Sequence, residues 1–254
     1  MTSVPCEADL ESFGDSINVA IVGASGGLGA ALANRLGANH AVSSIFRLAR
    51  SPQRQVRNRD WLHLDLEDEG TIETAAAEIE RRAGELHMLI VASGVLHDGT
   101  TLRPEKSWKA ISASSLEQVF RINAAGPALV AKHFLPLLAA NRKTAFAAVS
   151  ARVGSIGDND LGGWYAYRAS KAALNMIIRT LSVELARKRP QALCVGLHPG
   201  TVDTPLSKPF QQNVPSGALF TPDRSAAYLT QTLDRLTPAD SGWLYAWDGS
   251  RIPN

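Results

Sequence analysis

A run of apolar residues, Ile17 to Val22 (I-N-V-A-I-V), passes without a break into G-A-S-G-G-L-G and then into the Ala- and Leu-rich A-A-L-A-N-R-L-G-A. That order reads as a buried strand, a glycine turn and a helix. Gly23, Gly27 and Gly29 let backbone amides approach an anion at a helix N-terminus, whose partial positive charge favours phosphate. The spacing is Gly-x-x-x-Gly-x-Gly rather than the commoner Gly-x-Gly-x-x-Gly of dinucleotide sites, so a plain strand-to-helix turn would also account for the glycines. Its position after the first strand favours a nucleotide.

The alternation continues along the chain. A-V-S-S-I-F-R-L-A-R-S reads as a second strand and Trp61 to Leu66 as a third, followed by the amphipathic T-I-E-T-A-A-A-E-I-E-R-R-A. His87 to Val95 is a fourth strand. The segment S-L-E-Q-V-F-R-I-N-A-A-G-P-A-L-V predicts a long helix capped by Ser114 or Ser115, with Asn123 in its middle and Pro127 bending it. T-A-F-A-A-V-S, Leu193 to Leu197 and G-W-L-Y-A-W-D-G supply the remaining strands, the last before a short tail. Strands nearly continuous in apolar residues and alternating with helices imply an α/β fold: a single-domain, doubly wound parallel sheet (Rossmann-like) of about seven strands with helices on both faces. Ligands of such sheets bind at the carboxyl ends of the strands. The glycine turn, Ser93-Gly94, Ser150 and the segment from Pro199 all fall there. The stretch 205–221 is long, Pro-rich and aperiodic, and reads as a substrate loop.

Composition narrows the partners. A formal charge of +2, with Lys and Arg scattered among Asp and Glu, argues against nucleic acid. No stretch reaches the roughly 18 apolar residues of a membrane span, and residues 1–16 lack the features of a signal peptide, reading as a flexible leader to one domain over 17–254. Cys6 and Cys194 are too few for a disulfide framework or a zinc site, which suits a reducing cytoplasm. A small molecule is the expected partner.

The chemistry concentrates in W-Y-A-Y-R-A-S-K-A-A-L, where Tyr167 and Lys171 lie four apart on a helical pattern and so share a face. A positive charge about 4–5 Å from the phenol, at an effective dielectric of about 20, is worth roughly 3–4 kcal/mol. That would bring the phenol from about 10 toward about 7–8 and make it a proton donor to a carbonyl oxygen near neutrality. The plainer reading is a packed Tyr and a solvated Lys. About 20 residues past the glycines, where an acid would read the free ribose hydroxyl of NAD, the second strand ends in Arg50 with Arg47 close by. That charge favours the 2′-phosphate of NADP; an ordinary surface Arg is the alternative.

Taken together, these motifs resemble the short-chain dehydrogenase/reductase family over roughly residues 17 to 250. The resemblance rests on G-A-S-G-G-L-G at 23–29, A-S-G at 92–94 where the family usually has N-A-G, Asn123, Ser150, Y-R-A-S-K at 167–171 and P-G-T-V-D-T at 199–204. Within the family, S-A-R-V-G-S-I-G-D-N followed by G-G-W-Y-A-Y-R-A-S-K looks like the C-factor-like carbonyl reductase branch. The resemblance implies that Tyr167 protonates the substrate oxygen as a nicotinamide delivers hydride, and that Lys171 lowers the Tyr167 pKa and holds the nicotinamide ribose. It implies that Asn123 interrupts its helix to hold a water linking Lys171 to solvent. Gly23, Ser25, Gly27, Leu28 and Gly29 would cradle the pyrophosphate, and Asp65 and Leu66 would flank the adenine. Ala92, Ser93 and Gly94 would line the cofactor, with Pro199, Gly200, Val202 and Thr204 on its nicotinamide side. Relatives often pair as homodimers, which the helices of 115–138 and 167–187 would suit.

One departure stands out. Many relatives carry Ser-Ser at the end of the fifth strand, the second Ser polarising the substrate oxygen; here Val149-Ser150-Ala151 places Ala in that slot. Ser150 through a local bulge, Ser155 or another donor would have to replace it. The leading expectation is an NADP-dependent oxidoreductase interconverting a small carbonyl compound and its alcohol. A cofactor-binding signalling or regulatory protein with little turnover is the alternative. An epimerase or dehydratase is less favoured, because such chains usually carry a longer C-terminal substrate region.

Overall fold

In the computed structural model, which describes residues 10–51 and 60–253, the elements follow the apolar pattern. They are β1 (Ile17–Val22), α1 (Gly27–Gly37), β2 (Val42–Ala49), β3 (Trp61–His63), α2 (Glu69–Ala83), β4 (Met88–Val91), α3 (Ala113–Phe120) and α4 (Gly126–Phe134). Then come β5 (Thr144–Val149), α5 (Tyr165–Lys188), β6 (Ala192–His198), β7 (Thr201–Val202), β8 (Leu219–Phe220), α6 (Pro222–Arg235), β9 (Leu244–Ala246) and β10 (Arg251–Ile252). Eight strands form one sheet in the order β10-β9-β6-β5-β4-β1-β2-β3, and β7 pairs with β8 in a small separate one. Within the large sheet only β10 against β9 is antiparallel.

Alternate residues of the strands enter opposite layers. Ala20 and Val22 pack with Ile72, Phe134 and Ile178 of α2, α4 and α5. Val19 and Ile21 pack with Leu32 and Leu229 of α1 and α6. Each large aliphatic side chain buried this way contributes about 1.5–3 kcal/mol, which is why the strands are apolar on both faces. β1 lies between β2 and β4, and the chain crosses over it on the way from β3 to β4. That reversal opens a crevice between the carboxyl ends of β1 and β4, the place where such sheets take their ligands.

Several boundaries differ from the sequence reading. Residues 1–9 of the expected leader lie outside the described residues, whereas Leu10 and Phe13 are 0% and 1% exposed and belong to the layer under α1 and α6. The third strand stops at His63, and the tail adds β10 as an eighth strand to the sheet. The long helix starts one residue after Ser112, whose hydroxyl accepts from the Ser115 amide at 3.2 Å; neither Ser114 nor Ser115 is the cap. A wide π turn, Arg121–Ala125, separates α3 from α4. Pro127 has no N–H to give the Asn123 carbonyl four residues back, and the wider turn accommodates that loss. The 205–221 loop is more ordered than expected: it holds a 3₁₀ turn over Lys208–Asn213 and then β8. Among the described residues, no helix is long and apolar enough to cross a membrane.

Candidate active site

The glycine turn is closed against its neighbours. Gly23 has φ +85°, a conformation that glycine adopts freely, and a Cβ there would run into Ser93. A Cβ on Gly29 would run into the Gly23 carbonyl, and one on Gly27 would sit 2.8 Å from Thr204 Cγ2. Gly23, Gly27 and Gly29 thus bring β1, α1, the Ser93 segment and the Thr204 segment within van der Waals contact. Ser25, Gly26 and Gly27 are exposed at the N-terminus of α1, Leu28 is buried beneath them, and no side chain caps the helix. Exposed amides at a helix N-terminus, in a turn that side chains would fill, suit a pyrophosphate.

On the far side of β2, Arg50 is exposed. Arg47 is not available beside it, because its guanidinium donates to the Ala33 carbonyl at 3.3 Å and pairs with Asp60 at 3.7 Å. Asp65 accepts from the Glu67 amide at 3.0 Å. The Leu66 side chain faces inward, so that a Cβ on Gly126 would lie 2.8 Å from its Cβ. Any contact of Leu66 with a base would therefore be made by its main chain.

Tyr167 and Lys171 share one face of the first turns of α5, with Lys171 Nζ 5.8 Å from the centre of the Tyr167 ring. Lys171 is 2% exposed, and its ammonium donates to the Val149 carbonyl at 2.8 Å. A Cβ on Gly94 would lie 3.3 Å from Asn123 Oδ1 and 3.5 Å from Lys171 Nζ, so Gly94, Asn123 and Lys171 converge. Asn123 is fully buried in the π turn; its Oδ1 accepts from Val95 N at 2.8 Å, and its Nδ2 donates to Val95 O at 2.8 Å and Ser170 Oγ at 3.2 Å. With both amide protons engaged, its side chain clamps the segment after β4, and the π turn interrupts the helix at this residue.

Electrostatics correct one expectation. Burial pushes the Tyr167 phenol up to about 12, not down toward neutrality. The same burial brings Lys171 down to about 8. In the protein alone, the ammonium is directed at the Val149 carbonyl, and desolvation of the site outweighs the attraction of the two groups.

Ser150 also departs from the expected role. It is 2% exposed and donates to Asn175 Oδ1 at 2.7 Å, while Ala151 takes the half-exposed position after it. No bulge turns Ser150 round; it keeps the α5 side of the sheet, as Ala148 does. Ser155 is equally buried, its hydroxyl accepting from the Asp158 amide at 3.1 Å.

Pro199 to Thr204, expected from the resemblance on the nicotinamide side, packs against β8 and α6. Gly200 has φ +76°, and a Cβ there would press on the Phe220 ring at 2.7 Å. Val202, buried, pairs with Phe220 across β7 and β8. The Pro199 carbonyl accepts from Ser225 at 2.9 Å. An aromatic wall then runs from the 205–221 loop to the phenol: Phe210 lies 4.9 Å from Trp164 and 5.7 Å from His97, and Trp164 lies 6.2 Å from Tyr167, between ring centres. His97 Nε2 is also 3.1 Å from the Leu206 carbonyl. The loop was legible from its aperiodic, Pro-rich run, but Phe210 and His97 sit in aperiodic segments with no spacing to mark them.

The arrangement can bind a dinucleotide at the β1–β4 crevice and present a phenol beside an ammonium at its end. The short chain dehydrogenase family profile matches residues 18–215. A 1-hydroxy-2-glutathionyl-2-methyl-3-butene dehydrogenase of Rhodococcus is 31% identical over 191 residues, 74% of this chain and 76% of the relative. The C-signal protein of Myxococcus xanthus is 37% identical over 144 residues, 56% of this chain and 81% of its own. An NADPH-bound carbonyl reductase from chicken fatty liver superposes with a TM-score of 0.82 at 24% identity, covering 100% of both chains. This chain belongs to the short-chain dehydrogenase/reductase family of nicotinamide-dependent oxidoreductases.

Proposed function

We propose that the protein is an NADP-dependent oxidoreductase that interconverts a small carbonyl compound and its alcohol, with Tyr167 as acid and base. The observation that carries this reading is the buried Tyr167–Lys171 pair at the end of a glycine-lined crevice. Gly23, Ser25, Gly27, Leu28 and Gly29 would hold the pyrophosphate, Arg50 the 2′-phosphate, and the 92–94 and 199–204 segments the nicotinamide half. Asp65 and Leu66 would flank the adenine.

Bound there, the dinucleotide supplies or accepts the hydride. Tyr167 gives its proton to the oxygen of the carbonyl as that oxygen gains negative charge, and takes it back in the reverse direction. Lys171 places positive charge beside the phenol and so favours the phenolate that remains. Asn123 fixes the segment beside Lys171 through Val95. The aromatic wall of Trp164 and Phe210, with exposed Leu161, Tyr165 and Leu206 near it in sequence, suits a substrate with an apolar body. Met176 and Val183 are exposed on α5, at 66% and 46%, and support a dimer through that helix.

Titrating NADPH against NADH and then assaying an aldehyde, ketone and quinone panel tests the reading. Absence of NADPH binding would sink it. A second reading, a regulatory protein that binds cofactor with little turnover, is favoured by Ala151 and by the inward-turned Ser150 hydroxyl. Tight NADPH binding with no turnover across the panel would select it.

A further inference from the structure

Resting on Tyr167 as the proton donor, we propose that Glu105 is a positioning residue for it, fixing the first turn of α5 through the Ala166 amide. Glu105 belongs to the segment after β4, yet it is 4% exposed and reaches α5 from 61 residues upstream. Its Oε2 accepts from the Ala166 amide at 3.2 Å, and its own carbonyl accepts from the Trp164 amide at 2.5 Å. Oε1 is buried without a partner in the protein. Withdrawing a carboxyl group from water is costly unless it finds donors, and the first turn of a helix offers amides that no backbone carbonyl can satisfy.

The entry to α5 explains why such a tie is needed. Gly162, Gly163 and Trp164 have φ of +62°, +66° and +53° in succession. Glycine adopts that region freely, but a tryptophan there crowds its Cβ against its own backbone. Backbone of this kind persists where its surroundings over-determine it. Trp164 occupies the N-cap position and has no side-chain oxygen to serve it. Glu105 therefore does from outside what a Ser or Asp at the cap would do from within, and it holds both Trp164 and Ala166.

Tyr167 is the next residue. Lys171 is anchored separately, to Val149, so slack in the first turn would move the phenol while leaving the ammonium in place. The segment that carries Glu105 also carries His97, which contacts the Leu206 carbonyl and the Phe210 ring of the substrate loop. One short stretch of chain thus joins that loop to the helix of the acid.

Two variants separate an acceptor from a space-filler. Glu105→Gln retains an oxygen for the Ala166 amide; Glu105→Met keeps the volume without one. The measurements are kcat per NADPH-binding site, KM for NADPH, and residue-resolved amide exchange across 163–170 in the full chain. The Gln variant is expected within about 3-fold of wild type in kcat, and the Met variant roughly 10- to 100-fold below it, with KM for NADPH changed less than about 2-fold. Exchange at Ala166 and Tyr167 should quicken in the Met variant alone. A Met variant that matches the Gln variant in kcat per site overturns the proposal. Should the Met variant not fold, wild-type exchange decides: protection of the Ala166 amide equal to that of mid-α5 supports the contact, and lability like that of open loops overturns it. Exchange is read without turnover, so a failure of this contact registers separately from a failure of Tyr167 as the acid.

Discussion

Tyr167 and Lys171 set burial against charge at a single point. With the ammonium brought down to about 8 and the phenol pushed up to about 12, both groups are protonated at neutral pH. Carbonyl reduction needs the phenolic proton and benefits from the ammonium, so its kcat should be level below neutrality and decline as pH rises through about 8, where Lys171 loses its proton. Alcohol oxidation needs the phenol deprotonated and should instead rise with pH. A reduction profile flat well past that value, measured at saturating cofactor, would contradict this assignment of charge. Spacing made both residues legible, since i and i+4 share a helix face whatever surrounds them. The pKa direction was not legible, because it depends on how much water the fold removes. Nor was the replacement for the family's second Ser: of the donors open to it, Ser150 needed a local bulge, and the strand has none, so its hydroxyl turns to Asn175.

Elements position these residues more than the residues position themselves. The π turn between α3 and α4 is the clearest case, because it sets Asn123 against both backbone groups of Val95 and ties α5 to the segment after β4. Replacing Asn123 with Ala leaves the Val95 amide and carbonyl without these partners, at about 1–3 kcal/mol each if they stay buried. Thermal unfolding should show a lower Tm, and the Val95 amide should exchange faster; an unchanged Tm would mean that the clamp holds nothing. The helix itself was evident from its apolar face, and Asn123 and Pro127 marked an irregularity in it. The cap was misplaced by two or three residues because Ser112, Ser114 and Ser115 all carry the same hydroxyl, and only backbone geometry selects one. Glu105 had no local signature at all, since its partner lies beyond α3, α4 and β5.

At the scale of the molecule, the strand order gathers the glycine turn, the 92–94 segment, the start of α5 and the 199–204 segment at one edge of the sheet. The alternation of strands and helices made that edge legible, down to the loops that would line it. Less legible were Leu10 and Phe13 packing under the sheet and β10 closing its margin, for both rest on contacts far apart in sequence. Cofactor choice belongs to this scale because binding stabilises the whole fold. NADPH at about 100 times its Kd should add about 2.7 kcal/mol and raise Tm more than NADH at the same concentration, and Arg50→Ala should shrink that difference. Equal shifts from the two cofactors would mean that Arg50 does not read the 2′-phosphate. Cradle and acid belong to one proposed site, so wild type is best compared with Tyr167→Phe at matched NADPH saturation on the best substrate of a carbonyl panel. With Tyr167 as the acid, NADPH affinity in the variant should stay within a few-fold and kcat should fall by about 10²–10⁴; a variant that binds NADPH and reduces the substrate as fast as wild type would rule that role out.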